Sequence, residues 1–449
     1  MTARSGRAGA AGATARDVAR RVLDRVERGG AWATPALDGE LSRAGLDDRE
    51  RRLAAELVYG VLRNRARIDR ALGAHADLAR TPPRVVTALR VAAYQLLFLD
   101  RVPSYAAVDD AVRAARGVAG PRLAGFCNAV LRKLAAAGEP ALPDDPRDAT
   151  RGGVNRPALP GERGRESPLW IEHSLPGWIA DELAAAAPDR LGEFAAAFAR
   201  PAPLVARANR RRTTRDALIA ELAAAGATTR PIEGAAMAIA VEGLGDPARS
   251  ASFRAGRWTV QDTGAQRVGA VAAPGAGQRI LDACAGVGGK STHLAELADD
   301  AAPIDAADQL PAKLELARDT AARLGLASIR PVVCDLLDPA APLAAAYDLI
   351  VLDAPCSGLG VLRRHPDAKW RLVPADVPRL AGLQRRLLDT VVPRLAPGGA
   401  LVYSVCTFTR AEGPDQVAAL VERTGLRLVE EHRTWPPDAD AFYIARLER

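Results

Sequence analysis

The chain has 449 residues, of which 48% are hydrophobic and 26% are charged, and this length and composition are typical of a globular protein with two or three domains. Its five Cys and five His form no CxxC or similar metal-ligand spacing, and five Cys in so long a chain exclude a disulfide-stapled scaffold. We therefore expect free thiols and no bound metal. The net charge is +7, but only four of the 61 basic residues are Lys, so the number of Arg residues alone does not indicate nucleic-acid binding.

The positive charge is concentrated in the N-terminal part of the chain. Subtracting Asp and Glu from Lys and Arg gives +9 for residues 1–140, +1 for 141–260 and −3 for 261–449. A polyanionic partner is the simplest interpretation of the first segment, and ordinary solvated helix faces are the alternative. The sequence has neither the apolar core of a secretory signal nor an uncharged run of about 18 residues, so we expect a cytoplasmic protein without a membrane span.

The apolar pattern predicts three folded regions and one linker. Residues 1–140 have apolar positions at helical spacing and predict an all-helical domain. Residues 141–168 are rich in Pro, Gly and Arg and predict an exposed linker. Residues 169–262 mix helical patterns with short apolar runs, which indicates a small α+β module. Residues 263–449 alternate apolar strands with helices, which indicates a parallel, doubly wound sheet.

The first chemically informative motif is ILDACAGVGGKSTHLAEL, residues 280–297. A buried strand enters a Gly-rich turn and then a helix, so backbone N–H groups at the helix N-terminus can face a ligand. The spacing matches neither GxxxxGK nor GxGxxG, and a tight turn without a ligand is the alternative interpretation. The candidate cofactor-binding residues of this loop are Cys284, Ala285, Gly286, Val287, Gly288, Gly289 and Lys290.

Acidic residues end the next two predicted strands. Asp308 follows PIDAA, where a carboxylate can accept hydrogen bonds from ribose hydroxyls, and Asp335 follows the third strand. Carboxyl ends of parallel strands meet at one edge of the sheet, so we expect these groups to line one nucleoside-sized crevice. Asp305 lies inside the apolar run of the second strand, and the sequence offers no account of it.

The second motif is LIVLDAPCSGLGVLRRHPDAKWR, residues 349–371, in which a strand delivers Asp353 and Cys356 to the same edge. The Asp353 side chain can hydrogen-bond or protonate a ring nitrogen. The segment that follows combines cations with an aromatic plane, as a nucleotide platform does, although a solvated loop is an equally simple interpretation. Its candidate RNA-binding residues are Arg363, Arg364, Lys369 and Trp370.

The third motif is GGALVYSVCTFTRAEG, residues 398–413, where a strand ends at Cys406. Cys in a strand is usually a buried, inert residue. Here Cys356 and Cys406 both follow strands that end at the same predicted edge, beside the crevice. This shared position favours a functional role for both thiols.

These motifs resemble those of the S-adenosylmethionine-dependent RNA cytosine-C5 methyltransferases, specifically the Sun/RsmB group that acts on small-subunit ribosomal RNA. The resemblance rests on DACAGVGGK, DAPCSGLGVLRRHPDAKW and YSVCT, and the N-terminal segments ARDVARRVLDRVERGG and FCNAVLRKLA are similar to the NusB-like RNA-binding domain of that group. It implies a NusB-like all-α domain, a small α+β module and a C-terminal Rossmann-like methyltransferase domain. Val287 stands where the family commonly has Pro, and Thr263 where an acidic residue is usual.

The resemblance also implies the chemistry. Cys406 would attack carbon 6 of cytosine, Cys356 would assist release, and Asp353 would bind the ring and contact the cofactor. S-adenosylmethionine would be held by the loop from Cys284 to Lys290 together with Asp308 and Asp335. The cytosine of the ribosomal RNA would be unpaired or flipped out, and we expect a monomer. The residues alone do not decide which thiol attacks, because DNA cytosine methyltransferases use the Pro-Cys thiol.

Two other functions are compatible with the sequence. The enzyme could transfer the methyl group to another RNA, such as transfer RNA, or to a protein. Alternatively, the chain could be a non-catalytic RNA-binding antitermination or assembly factor. The presence of both thiols argues against this last function, because an inactive domain needs neither. The fold alone does not discriminate between these functions.

Overall fold

The computed structural model describes residues 13–141 and 168–449. The predicted linker falls almost entirely outside the described residues. The described chain divides into two units: the first comprises the chain up to residue 181 together with 198–200 and 362–371, and the second comprises 182–197, 201–361 and 372–449. Within the described residues, no helix combines the length and apolar character required to cross a lipid bilayer.

The first unit is helical, as the apolar periodicity predicts. Its N-terminal helices bury residues at helical spacing, such as Val18, Val22 and Leu57, in one core. Thr14 caps the first helix in a capping box with Asp17, which satisfies N–H groups that have no partner inside the helix. The helices are α1 (Ala15–Gly29), α2 (Ala33–Ala44), α3 (Asp48–Arg63), α4 (Arg65–Gly73), α5 (Pro83–Phe98), α6 (Ser104–Ala137, kinked at Gly120) and α7 (Pro168–His173).

The middle of the chain forms a small antiparallel sheet with strand order β2-β3-β1-β4. Trp258 is fully buried on this sheet and packs with Leu218 and Leu222 of helix α10, which gives the module its own core. The elements of this region are α8 (Gly177–Ala186), α9 (Leu191–Phe198), β1 (Leu204–Ala208), α10 (Arg215–Ala224), β2 (Thr228–Pro231), β3 (Ala238–Glu242), α11 (Ala251–Arg254) and β4 (Trp258–Val260).

The C-terminal region forms a seven-stranded sheet with strand order β10-β11-β9-β8-β5-β6-β7. Strands β5 to β9 are parallel, and they correspond to the five strands expected from the sequence. The antiparallel pair β10–β11 extends the sheet beyond β9 and was not predicted. The strands are β5 (Ile280–Asp282), β6 (Ile304–Asp308), β7 (Ile329–Val333), β8 (Tyr347–Asp353), β9 (Leu395–Val405), β10 (Arg427–Thr434) and β11 (Phe442–Glu448).

Helices cover both faces of this sheet, as in a doubly wound fold. One face packs against α16 and α17, and the other packs against α12, α13 and α14. Because the chain proceeds from β5 outward to β7 and then returns to β8 on the other side of β5, the strand order reverses between β5 and β8. Ligands bind at this switch point in open α/β sheets. The helices are α12 (Thr263–Ala272), α13 (Gly289–Leu297), α14 (Pro311–Leu324), α15 (Ala368–Arg371), α16 (Asp376–Val391) and α17 (Pro414–Thr424).

The structure explains Asp305, the acidic residue inside the apolar second strand. Its carboxylate accepts two hydrogen bonds from the Arg330 guanidinium, at 2.7 and 2.8 Å, and one from the Tyr347 hydroxyl at 2.7 Å. Although burial opposes ionisation, these partners hold the pKa of Asp305 below its ordinary value. Asp305 therefore connects β6 to the neighbouring strand β7 and to the start of β8.

Candidate active site

A cavity of about 500 Å³ lies at the carboxyl edge of the large sheet, beside the switch point between β5 and β8. This volume lies within the range of small-molecule sites, which is about 300 to 1,000 Å³. Several of the residues that the sequence analysis singled out line it: Cys284, Gly286, Asp308, Asp335, Asp353, Cys356 and Cys406. The strand ends thus bring together residues that lie more than 120 positions apart in the chain.

The Gly-rich loop between β5 and α13 is braced from the end of the next strand. Asp308 Oδ2 accepts a hydrogen bond from the Gly286 amide at 3.0 Å, and Oδ1 accepts one from the Leu310 amide at 2.9 Å. Gly288 has φ of 79°, and a Cβ there would lie 2.7 Å from the Ala317 Cβ, so only Gly fits. The cavity lining does not include the other loop residues proposed from the sequence: Ala285, Val287, Gly288, Gly289 and Lys290.

A buried arginine of the middle module fixes the start of α13. Arg207 on β1 is fully buried, and its guanidinium donates to the Gly289 carbonyl at 3.0 Å and to Glu296 at 2.7 Å. The Gln261 amide donates to the same Gly289 carbonyl at 2.9 Å. Burial raises the pKa of Glu296, although Arg207 opposes this shift. The sequence pattern does not indicate this role for Arg207, because Arg207 is a single charged residue in the run LVARAN.

Lys290 forms an ion pair with Asp353. Its ammonium lies 2.5 Å from Asp353 Oδ2, and the Ser404 hydroxyl donates to Asp353 Oδ1 at 2.7 Å. Burial disfavours the ammonium, but the ion pair and hydrogen bond with Asp353, together with other nearby groups, outweigh it and raise the pKa of Lys290, so Lys290 stays charged. The two contacts fix the orientation of the Asp353 carboxylate at the cavity wall. Lys290 was expected in the cofactor loop, and its pairing with Asp353 was not predicted from the sequence.

The thiols of Cys356 and Cys406 meet in the cavity, with 3.3 Å between their Sγ atoms. The hydrogen bond to Cys406 and burial raise the pKa of Cys356 well above its ordinary value, so Cys356 keeps its proton at neutral pH. Burial also raises the pKa values of Cys284 and Cys334, the other two thiols at the cavity. The arrangement therefore suits Cys356 as hydrogen-bond donor and Cys406 as acceptor.

The turn after Cys356 is joined to the strand end at Cys406 through Gly360. The Gly360 amide donates to the Cys406 carbonyl at 3.0 Å, and the Gly360 carbonyl accepts from the Ala441 amide at 3.0 Å. A Cβ at Gly360 would lie 1.9 Å from the Ala441 carbonyl oxygen. Any larger residue would push apart the backbone segments that carry the two thiols.

The structure corrects our interpretation of the basic segment after Cys356. Residues 362–371 belong to the first unit and pack against its helices. Lys369 is 1% exposed and its ammonium donates to the Arg63 carbonyl at 2.9 Å, while the Trp370 indole N–H donates to the Leu62 carbonyl at 2.6 Å.

Of the other two residues proposed there for RNA, Arg363 is 5% exposed and Arg364 is half-buried. An open nucleotide platform requires accessible cations and an exposed ring face, and this segment is instead part of a folded core. The pattern of Arg, Lys and Trp did not reveal this, because amphipathic side chains bury their stems as readily as they bind RNA.

Comparisons with known proteins agree with this architecture. Residues 270–448 match the family model described as 16S rRNA methyltransferase RsmB/F, residues 13–136 match the NusB family, and residues 175–246 match the ferredoxin-like domain of RsmF/B-like methyltransferases. The structure also resembles the crystal structure of PH0851, with a TM-score of 0.78 and 20% identity over 98% of this chain and 100% of that one.

Two curated relatives match over most of their length. The probable ribosomal RNA small subunit methyltransferase B of Synechocystis sp. is 32% identical, over 94% of this chain and 90% of the relative. The ribosomal RNA small subunit methyltransferase B of Vibrio cholerae serotype O1 is 35% identical, over 89% of this chain and 90% of the relative.

A Rossmann-like sheet with a ligand-sized cavity at its switch point, preceded by NusB-like and ferredoxin-like regions, defines a multidomain S-adenosylmethionine-dependent methyltransferase. This confirms the fold class, the enzyme class and the cofactor expected from the sequence. The chain belongs to the RsmB/F family of 16S ribosomal RNA methyltransferases.

Proposed function

We propose that this enzyme methylates carbon 5 of one cytosine in small-subunit ribosomal RNA, through a covalent bond between Cys406 and carbon 6 of the base. The observation that carries the proposal is the pair of thiols 3.3 Å apart at the wall of the cavity, beside an oriented carboxylate. Methylation of an oxygen or an exocyclic nitrogen needs no thiol, whereas activation of carbon 5 needs a nucleophile at carbon 6. The names of the curated relatives support small-subunit ribosomal RNA as the substrate.

The cavity residues fit S-adenosylmethionine, which supplies an electrophilic methyl group when bound. Asp308 projects a carboxylate from the end of β6, where it can accept hydrogen bonds from ribose hydroxyls, and Asp335 stands at the end of the next strand for the adenine edge. The loop from Cys284 to Gly289, at the N-terminus of α13, would hold the methionine end. A carboxylate has about four lone-pair sites, so Asp308 can brace the loop and still accept from ribose.

Cys406 is the nucleophile of the proposed reaction, and Cys356 is the residue that assists release. Cys356 keeps its proton and can donate a hydrogen bond to the sulfur of Cys406, which stabilises the thiolate. The nearby Lys290 ammonium adds a favourable charge, since its own pKa is raised in part by Cys406. The thiolate adds to carbon 6, and the electron pair of the ring double bond moves to carbon 5.

Carbon 5 then takes the methyl group, and S-adenosylhomocysteine leaves. Transfer of the proton from carbon 5 to a water molecule re-forms the double bond and breaks the bond between sulfur and carbon 6, which releases Cys406 as a thiolate. Cys356 assists this release because its S–H, with 3.3 Å between the two sulfur atoms, can donate a hydrogen bond to the departing thiolate. As the thiolate adds, ring nitrogen 3 becomes more basic and takes up a proton from water. The Asp353 carboxylate, oriented by Lys290 and Ser404, accepts a hydrogen bond from the resulting N–H and stabilises this protonated form of the ring.

The base must leave its stack for these groups to reach it, so the target cytosine is unpaired or flipped out. The excess positive charge of residues 1–140 supports phosphate binding by the helical region.

Bisulfite sequencing of ribosomal RNA from cells with and without this gene tests the proposal. We expect one small-subunit cytosine to lose its protection from conversion in the deletion strain, and its protection to return with the wild-type gene but not with the Cys406→Ala gene. Unchanged ribosomal RNA together with a lost site in transfer RNA would assign the activity to another RNA. No change in any RNA would contradict cytosine-C5 methylation.

A further inference from the structure

Glu412 takes no part in the reaction described above, yet it is fully buried next to the reacting groups. It lies six residues after Cys406, in the segment between β9 and α17. Glu is almost never fully buried unless its carboxylate is satisfied by polar partners. Polar partners must therefore stabilise the Glu412 carboxylate in the core.

The carboxylate of Glu412 accepts four hydrogen bonds. Oε1 accepts from the Ser357 amide at 2.8 Å and from the Gln384 side-chain amide at 3.0 Å. Oε2 accepts from the Ser357 hydroxyl at 2.5 Å and from the Thr409 hydroxyl at 2.9 Å. A carboxylate has about four lone-pair sites, so these donors fill them. The donors come from three separate segments, which contain Ser357, Gln384 and Thr409.

Two of these segments carry the thiols. Ser357 directly follows Cys356, and its hydroxyl also lies 3.0 Å from the hydroxyl of Thr407, which directly follows Cys406. The third segment, helix α16, contributes Gln384, whose side chain also donates to the Pro355 carbonyl at 2.9 Å. The network therefore reaches the backbone on both sides of Cys356 and the residue after Cys406.

We propose that Glu412 is a positioning residue that holds the Cys356 and Cys406 loops together and thereby sets the separation of the two active-site thiols. The proposal rests on the proposed function in so far as it assigns both thiols to one reaction. Nucleophile and release group must reach the same base from fixed positions. A connection between their loops provides this more directly than the packing of each loop alone.

The charge of Glu412 has a second consequence for the thiols. Its negative charge contributes, after the hydrogen bond to Cys406 and burial, to the raised pKa of Cys356. A protonated Cys356 is the donor that the Cys406 thiolate requires. The hydrogen bonds and the charge of Glu412 thus both favour Cys356 as the protonated donor and Cys406 as the nucleophile.

The substitutions that test this position differ in what they preserve. Glu412→Gln keeps an acceptor oxygen for Ser357 N–H and Gln384, while the two hydroxyls can rotate to accept from the new NH₂ group. Glu412→Asp keeps the charge but shortens the side chain by one methylene, so it cannot reach all four donors. Glu412→Ala removes every contact. Asp305→Ala is the matched control. Asp305 lies on β6 of the same sheet, and its largely buried carboxylate accepts three hydrogen bonds, none of them from the loops that carry the thiols.

The separation of the thiols can be read without any methyl transfer. Phenylarsine oxide condenses with two adjacent thiols, forming two As–S bonds and releasing water, and peptide mass mapping identifies the bridged cysteines. We expect the wild-type enzyme and Asp305→Ala to be bridged between Cys356 and Cys406. We expect Glu412→Ala and Glu412→Asp to bind the arsenical at least about tenfold more weakly, because the effective concentration of the second thiol falls. Glu412→Gln should stay within about threefold of wild type.

Kinetics provide the second measurement. Glu412→Ala should lower kcat by about 100-fold, the usual effect of a displacement of about 1 Å in an active site, with little change in KM for the methyl donor. Glu412→Gln should restore most of this loss. A wild-type arsenical affinity in Glu412→Ala and Glu412→Asp, or bridging of other cysteines in the wild-type enzyme, would overturn the proposal.

The two proposals can fail separately. The arsenical result does not depend on which base or which RNA is methylated, so it decides the role of Glu412 by itself. The sequencing experiment decides the substrate whatever the arsenical shows.

Discussion

Asp308 offers the sharpest test of the cofactor site, because the structure shows one task for it and we propose a second that can be separated from the first. Its carboxylate braces the loop amide of Gly286 and the amide of Leu310, and in the proposed complex it also accepts from the ribose. Asp308→Ala removes both tasks. Leaving hydrogen-bonding groups unpaired costs about 1 to 3 kcal/mol, so we expect the affinity for S-adenosylhomocysteine to fall by about 5-fold to 150-fold.

Titration calorimetry measures this loss, and Asp319→Ala is the control, because Asp319 is an exposed carboxylate on helix α14, which directly follows β6. Asp308→Asn, which keeps one acceptor oxygen, should lose less affinity than Asp308→Ala. Amide hydrogen exchange at Gly286 in the ligand-free enzyme isolates the bracing task, and Asp308→Ala should accelerate it. An affinity within twofold of wild type would refute the ribose contact, and unchanged exchange at Gly286 would refute the brace.

Further predictions address the thiols, the buried lysine and the RNA surface. Cys406→Ala should abolish methyl transfer without weakening donor binding, and turnover by this variant would contradict the nucleophile assignment. Cys356→Ala should accumulate an RNA-linked protein band on denaturing gels that collapses with nuclease, and a band in Cys406→Ala instead would make Cys356 the nucleophile. Burial, aided by repulsion from the Arg63 guanidinium, lowers the pKa of Lys369 from 10.5 to about 7. Between these two pH values the unfolded chain binds more protons than the folded chain, so the free energy of unfolding should rise with pH across this window. Lys369→Met should flatten that rise in urea unfolding, and a wild-type slope in the variant would contradict the shift. Charge reversal at the exposed Arg116 and Arg122 should make RNA binding less dependent on salt. The slope of the logarithm of the binding constant against the logarithm of the salt concentration should fall by about one unit for each lost phosphate contact, and an unchanged slope would place the RNA elsewhere.

The sequence by itself determined the layers of the fold. The helical period of the N-terminal region and the alternation of strands and helices after residue 263 each follow from local burial, and both types of region form as predicted. The antiparallel strands β10 and β11 were not predicted. The residues of β10 are mostly exposed, so its hydrophobic pattern is weak, and its place in the sheet depends on pairing with β11.

The sequence also determined several of the residues that line the cavity. Asp308 and Asp353 end β6 and β8, and Cys356 and Cys406 follow the ends of β8 and β9 within three residues. Parallel topology brings such ends to one edge without further information. The spacing of the motifs along the chain was sufficient for this, because the edge position of a residue depends only on where its strand stops.

Only the tertiary structure decided which side chains pair. Lys290 is joined to Asp353, Arg207 to the start of α13, and Glu412 to the loops of both thiols. It also decided that Lys369 is a buried residue of the helical unit, although its segment follows a strand of the methyltransferase sheet. Periodicity and strand ends are local properties of the chain, whereas a buried polar group is stable only beside a partner that satisfies it, and the partner of Lys369 lies 306 residues away.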